Sequence, residues 1–189
     1  MLPLGTTLPA FRLPSVSGEI VSSEDYAGRP VLVAFICHHC PFVRHIRREF
    51  ARFAAELQER GLAVVAINSN DSQAFPEDGP DGMRQESQEA GYTFPYLFDE
   101  TQEVAKAYGA ACTPDFFLYD RNRRLVYRGQ LDASRPGNNI PVTGSDLRAA
   151  LGAVLAGKPQ VERQIPSLGC NIKWRGGNEP VYYDPVGVK

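Results

Sequence analysis

The stretch Val31-Leu32-Val33-Ala34-Phe35-Ile36-Cys37-His38-His39-Cys40-Pro41 decides how the rest of the chain is read. Its first six residues are apolar without alternation, the pattern of a strand buried on both faces. Behind Pro41, the residues Val43, Ile46, Phe50, Phe53 and Leu57 recur three or four positions apart. That spacing puts one apolar stripe on an α-helix. Pro41 suits the first helical position, where a missing N–H costs nothing, and Gly61 suits the residue just past the helix end. Leu62-Ala63-Val64-Val65-Ala66-Ile67 is a second buried strand. Strand, helix and strand with short links predict a parallel βαβ unit.

Working outward, Ala10–Pro14 and Glu19–Ser22 flank Gly18 and read as two short strands around a turn. Asn68-Ser69-Asn70-Asp71 opens a polar loop that continues to Pro80. A helix is predicted from Asp81 to Ala90, and a shorter one around Val104, Ala107 and Tyr108. Asp115–Tyr119 and Leu125–Arg128 form an antiparallel hairpin across the charged turn Asp120-Arg121-Asn122-Arg123-Arg124. The last predicted helix runs from Ser145 to Ala156, with Leu147, Leu151 and Leu155 on one stripe. Residues 1–157 make one domain. The tail, 158–189, is less regular but holds Ile165, Leu168, Cys170, Ile172 and Trp174, so part of it packs on that domain. From Gly176 onward it is expected to move freely. The sum is an α/β chain with a thioredoxin-like layout. A βαβ unit, a β-hairpin and a helix build a mixed central sheet flanked by helices, with an N-terminal β-hairpin extension and a C-terminal tail.

Bulk properties exclude several classes. With 189 residues, 43% hydrophobic and 22% charged, the chain supports an ordinary core. Lys+Arg 20 against Asp+Glu 22 leaves a net charge of -2. No broad basic surface is available for nucleic acid or an anionic membrane. The first residues lack the basic-then-apolar pattern of a signal peptide, and no apolar run approaches the ~20 residues that span a bilayer. A cytoplasmic protein is expected, where four cysteines point to reactive, metal-binding or buried thiols before a disulfide framework.

Cys37 and Cys40 fall where the strand ends and the helix begins. The unpaired N–H groups of a helix N-terminus favour thiolate, so Cys37 is expected to titrate below a free thiol. A two-residue gap lets both sulfurs meet across one helical turn. His38 and His39, as cationic or N–H-donating groups, would favour thiolate further and make the disulfide more oxidising. The expected chemistry is thiol–disulfide exchange, with Cys37 as nucleophile and Cys40, behind Pro41, resolving the mixed disulfide. Thr113-Pro114 precedes a strand and is a candidate cis peptide.

Phe35–Ile46, together with Asn68–Asp71, Cys112–Leu118 and Gly169–Trp174, resembles a prokaryotic group of thioredoxin-family proteins. These are known as probable thiol–disulfide isomerase/thioredoxin-like proteins, within the redoxin (AhpC/TSA) superfamily. The resemblance reaches to about Arg175. It implies that Pro114 sits opposite Cys37 and Cys40, and that the backbone of Thr113 pairs with substrate. Partners would be protein or small-molecule disulfides and dithiols, with an external thiol or protein reductant. Ordinary thioredoxin carries a buried acid on the strand before its cysteines; Val31–Ile36 has none, which leaves His38, His39 or water as proton acceptor.

Two other readings compete. A thiol peroxidase would need a hydroxyl three residues before its cysteine, where Ala34 and Cys37 stand instead, and an Arg, for which Arg128 is the candidate. A copper or zinc carrier would use the Cys37-His38-His39-Cys40 run, although four consecutive residues cannot all converge on one tetrahedral ion. Cys112 and Cys170 read first as buried, inert thiols, and second as auxiliary thiols in exchange with Cys37. His45 is off the apolar stripe and reads as a surface residue. Asn68, Asn70 and Asp71 either shape the rim of the site or only cap turns. No nucleotide or flavin motif appears, so no cofactor is expected. Oligomeric state stays open, a dimer included, and so do the substrate and the direction of electron flow.

Overall fold

The computed structural model describes residues 2–158 and 164–185. Strands β1 (Arg12–Pro14) and β2 (Ile20–Ser22) form the expected N-terminal hairpin. Strand β3 (Val31–Phe35) leads through Cys37–Cys40 into helix α1 (Pro41–Glu59), and β4 (Ala63–Asn68) returns parallel to β3. Every residue of β3 and β4 is buried, as runs without alternation require. Gly61 takes φ of 81°, the left-handed turn that lets the chain leave α1 for β4.

Helix α2 (Pro80–Ala90) follows the polar loop, then come strand β5 (Tyr96–Phe98) and helix α3 (Glu103–Tyr108). Strands β6 (Cys112–Thr113), β7 (Asp115–Tyr119) and β8 (Leu125–Gly129), helix α4 (Ser145–Leu155) and strand β9 (Cys170–Asn171) complete the order. The central sheet runs β5-β4-β3-β7-β8. Strands β5, β4 and β3 are parallel, β7 is antiparallel to β3, and β8 is antiparallel to β7.

Side chains alternate across this sheet and create two apolar layers. Leu32, Ala34, Val64, Ala66, Phe116 and Leu118 face α1 and α4, and the two cysteines belong to this layer. Val33, Phe35, Val65, Ile67 and Phe117 face α3 and the N-terminal segment. Among the described residues no helix is long and apolar enough to cross a membrane.

Three features differ from the sequence reading or add to it. The stripe of α4 stops at Leu151; Leu155 is exposed because the last turn overhangs the sheet beside the Asp120–Asn122 turn. The tail beyond Gly176 is anchored as far as it is described. Tyr182 Oη donates to Ala105 O (3.3 Å) and Ala110 O (3.1 Å), and Asn178 Nδ2 donates to Gln102 Oε1 (2.8 Å). Residues 186–189 lie outside the described residues. Finally, β6 and β9 are strands that the sequence pattern does not predict. They pair antiparallel, with Thr113 opposite Cys170, and bind the tail to the end of the sheet that carries the cysteines.

Candidate active site

Cys40 is the N-cap of α1, and Cys37 lies three residues earlier in the turn leaving β3. Both are buried free thiols. Thr113 faces them from the cis Thr113–Pro114 segment. Its Oγ1 is 3.3 Å from Cys37 Sγ, and in the thiol form Cys40 Sγ donates to Thr113 O at 3.1 Å. Cys170 stands across from Thr113 in the β6–β9 pair, and its thiol acts on that of Cys40, which Cys37 also acts on, so a row of electrostatic interactions is centred on Cys40.

The electrostatics of the row differ from expectation. Cys40, not Cys37, is pushed down, first by the Cys170 thiol and then by Cys37, with the Thr113 side chain and the Val43 backbone N–H also donating to it. Cys37 is pushed up because it supplies a proton to Cys40, because it is buried, and because Asp78 is near. The helix N-terminus acts on the residue at the N-cap, and that residue is Cys40. The pair titrates as a unit, with the anionic character centred on the middle sulfur.

His38 and His39 are held apart from each other. His38 Nδ1 donates to Gly82 O (3.0 Å) and lies 3.6 Å from Glu86 Oε2. Glu86 is itself buried and paired with Arg47 Nη1 (3.2 Å) and Tyr92 Oη (3.1 Å). His39 stacks on Phe75 and its Nδ1 bonds Asp78 Oδ2. A carbonyl and a carboxyl both call for Nδ1–H, which leaves Nε2 of each ring for other partners. Arg44 Nε donates to His38 O (3.0 Å) and closes the turn from outside. His45 is a surface residue bonded through Nε2 to Ser134 Oγ (2.7 Å).

Asp78 and Glu86 carry no sequence signal of their importance. Asp78 looks like a solvated turn residue, yet it is fully buried. One ligand atom from each of Cys37, His39 and Asp78 lies within 4.8 Å of the others. This grouping differs from the expected Cys-His-His-Cys run, since His38 and Cys40 point to other partners. It is also already saturated: the Asp78 oxygens accept from His39 N (3.1 Å), the His39 ring and Asn70 Nδ2 (2.7 Å). A cation would have to displace those donors, so Asp78 serves to hold His39.

Asn68 and Asn70 are buried and tie the loop to the tail. Asn68 Nδ2 donates to Asp78 O (2.6 Å), and Asn70 Oδ1 accepts from Lys173 N (2.9 Å). Asp71 N donates to Lys173 O (2.8 Å). Gln102 adds Nε2 bonds to Ser69 O (2.7 Å) and Lys173 O (2.8 Å). Thr113 is the residue expected to face substrate. Its backbone is paired with the chain's own Cys170, and its hydroxyl faces Cys37. Pro114 lines a shallow groove with Phe42 and Leu168.

The approach of the tail is tight. A Cβ on Gly169 would stand 2.1 Å from Thr113 O, so only glycine lets β9 lie against the Thr113–Pro114 peptide. Gly169→Ala is expected to lose about 1–3 kcal/mol of stability, read by thermal or urea unfolding. An unchanged midpoint would show that the tail does not pack there in solution.

Cys112 is buried behind the site; burial first and Asp115 second push its thiol up. Asp115 pairs with Phe35 across the sheet, next to the strand that lacks an acid, but on the Phe35 face and not the cysteine face. Burial raises its carboxyl to about 7, with Ser167 first and the Ala111 and Phe116 backbone after it pulling the other way. Arg128, the candidate peroxidase Arg, pairs with Phe117 and shares that side chain's face, also opposite the cysteines.

Residues 4–128 match the model of the AhpC/TSA family. The chain belongs to that family. This AhpC/TSA protein is 25% identical over 122 residues to the thiol-disulfide oxidoreductase ResA of Geobacillus thermodenitrificans, covering 65% of this chain and 66% of ResA. It is 34% identical over 107 residues to a Mycobacterium tuberculosis protein named "Putative peroxiredoxin", covering 56% and 63%. It thus spans just under two thirds of the length of these relatives. A crystal structure of a hypothetical protein from Sinorhizobium meliloti matches with 56% identity and a TM-score of 0.91, covering 94% of this chain and 97% of that one. The thioredoxin domain of a Bacteroides vulgatus thiol-disulfide oxidoreductase matches at 18% identity with a TM-score of 0.60, covering 69% and 90%. The fold of this AhpC/TSA protein is thioredoxin-like.

Proposed function

We propose that this protein is a thiol–disulfide oxidoreductase that cycles a Cys37–Cys40 dithiol and disulfide. Cys37 forms the bond to the partner and Cys40 is the internal leaving and resolving sulfur. The observation that carries this reading is the placing of two free thiols at the start of α1, Cys40 at its N-cap and Cys37 three residues earlier, both in contact with Thr113 beside the cis Thr113–Pro114 peptide. A partner thiolate that attacks Cys37 Sγ breaks the Cys37–Cys40 bond and forms a mixed disulfide. Cys40 leaves with the electron pair as the stabilised thiolate, and a lower leaving-group pKa speeds that step. A second thiolate of the same partner then attacks the partner sulfur and closes the partner's disulfide. Cys37 leaves as thiolate and takes up a proton. Two electrons have passed from the partner dithiol to the protein.

Stabilising the reduced form makes the disulfide a stronger oxidant. Dithiol motifs span roughly −270 to −120 mV, and this one is expected on the oxidising side of about −230 mV. Partners are protein or small-molecule thiols and disulfides, and reoxidation comes from another thiol–disulfide couple. His39, fixed by Asp78 and Phe75, has a ring edge near Cys37 suited to handling the proton.

The test is equilibration against a series of glutathione redox ratios, with alkylation of free thiols and mass spectrometry. A reversible Cys37–Cys40 disulfide with that midpoint is the expected result. A thiol peroxidase reading is favoured by the hydroxyl of Thr113 beside Cys37 and by the 34% identical relative. It requires sulfenic acid on one cysteine with hydroperoxide and no dithiol equilibrium, which would overturn the oxidoreductase proposal.

A further inference from the structure

The row of sulfurs does not end at Cys40. Cys170 reaches it from a point 130 positions further along the chain, on the strand that binds the tail to the cysteine end of the sheet. Strand β9 pairs Cys170 with Thr113, whose hydroxyl and carbonyl contact Cys37 and Cys40. Gly169 permits this approach. Cys170 packs against the apolar layer that holds both active-site cysteines, and it is only partly buried. The Asn70, Asp71 and Gln102 bonds to Lys173 fix the segment a few residues later.

We infer that Cys170 is a third redox thiol, which exchanges with the Cys37–Cys40 disulfide to form an alternative Cys40–Cys170 disulfide. The inference rests on the proposed dithiol cycle and deepens it. In the step, the Cys170 thiolate attacks Cys40 Sγ, the Cys40–Cys170 bond forms and the Cys37–Cys40 bond breaks. Cys37 leaves with the electron pair and takes up the proton that Cys170 released. No electrons are gained or lost, so no outside oxidant or reductant takes part.

The geometry is suited to this because Cys170 stands directly across from Thr113, which contacts both Cys37 and Cys40, and packs on the apolar layer that holds the two cysteines. The charge balance agrees. In the reduced protein the hydrogen bond to the Cys40 thiolate is the first cause holding the Cys170 proton, with burial second; Lys173 acts in the other direction. Oxidation of Cys40 removes that first cause and frees Cys170 to attack. The consequence is functional. The oxidised protein retains a free Cys37 thiol, which can attack a partner disulfide, so one oxidation state both accepts electrons and reshuffles disulfides.

Cys37 and Cys40 share one tryptic peptide and Cys170 lies in another, so mass spectrometry separates the two disulfides. The full-length wild type and the variants Cys37→Ser, Cys170→Ser and Cys112→Ala are equilibrated with glutathione couples, acid-quenched, alkylated and mapped. Circular dichroism checks that each variant is folded. The oxidised wild type is expected to contain the cross-linked peptide pair with Cys37 alkylated, and Cys37→Ser should form that pair reversibly. With two equally populated oxidised isomers, Cys170→Ser lowers the apparent oxidation constant about twofold, while Cys112→Ala keeps the wild-type pattern.

The inference is overturned if the oxidised wild type holds only Cys37–Cys40. It is equally overturned if Cys37→Ser takes glutathione on Cys40 with Cys170 still alkylated. If neither the wild type nor Cys170→Ser forms Cys37–Cys40, the proposed function itself fails, so the two failures are distinct. Should Cys37→Ser not fold, the wild-type map alone decides.

Discussion

Cys40→Ser should abolish turnover of a disulfide or dithiol substrate, by at least about a thousandfold, and leave a stable mixed disulfide on Cys37. The direction follows from the row of sulfurs. Cys40 stands at the N-cap of α1 and its thiol is pushed down, first by Cys170 and then by Cys37, so it is the sulfur best able to bear charge as a bond breaks. A low-pKa thiolate is a good leaving group and is present at neutral pH, although each thiolate loses some nucleophilicity as its pKa falls. Removing it leaves Cys37 able to bond a partner but without an internal sulfur to release it. The measurement is turnover of a small disulfide with excess thiol, together with intact mass of the quenched enzyme. If Cys37→Ser instead accumulates the mixed disulfide, on Cys40, the roles are exchanged and the middle sulfur is the one that meets the partner.

The second large effect is on stability. Asp115 is buried and its carboxyl is raised from 3.8 to about 7, with desolvation the first cause. A group raised on folding binds its proton more tightly in the folded state. Its contribution is fully present below the unfolded value and is lost as pH rises through the folded one. Wild-type stability should therefore fall between about pH 4 and pH 7 relative to Asp115→Asn, and level off above that. Every tenfold difference in proton affinity between the folded and unfolded chain is worth about 1.4 kcal/mol, so the loss approaches about 2–4 kcal/mol at pH 8. For a chain of this size that is roughly 6–12 °C in the thermal midpoint. Asn is a neutral stand-in of nearly the same shape as the protonated carboxyl, so the two proteins should be nearly equal at pH 4. A difference that stays flat from pH 4 to pH 8 would remove Asp115 as the source.

Much of the framework can be read in the chain because its signals are local. The unbroken apolar runs at Val31–Ile36 and Leu62–Ile67, and the three-four spacing from Val43 to Leu57, each express one element's own burial. Strand β5 is not legible because three residues, Tyr96–Phe98, are too few to show a period and follow Pro95. Strands β6 and β9 have two residues each, and their pairing is a contact between distant parts of the chain.

The same divide runs through the site. Cys37, Cys40 and Thr113 stand out by type and spacing. Asp78, Glu86 and Asp115 do not, because a buried carboxyl among partners looks in sequence like any solvated one. The expected anionic character of Cys37 is reversed for a related reason. A small displacement along the helix start decides which sulfur sits at the N-cap, and a thiol from the tail adds the strongest donor.

The pairing of β9 with Thr113 also bears on which molecules can be served. An extended polypeptide that sought the backbone of Thr113 would find the position taken and would have to evict two residues of the chain itself. If the tail were detached for one part in a hundred of the time, such a visitor would bind about a hundredfold more weakly than to an open edge. A compact thiol that needs only the sulfur meets no such competition. On the proposed function, the segment that brings Cys170 inward would also grade visitors by shape.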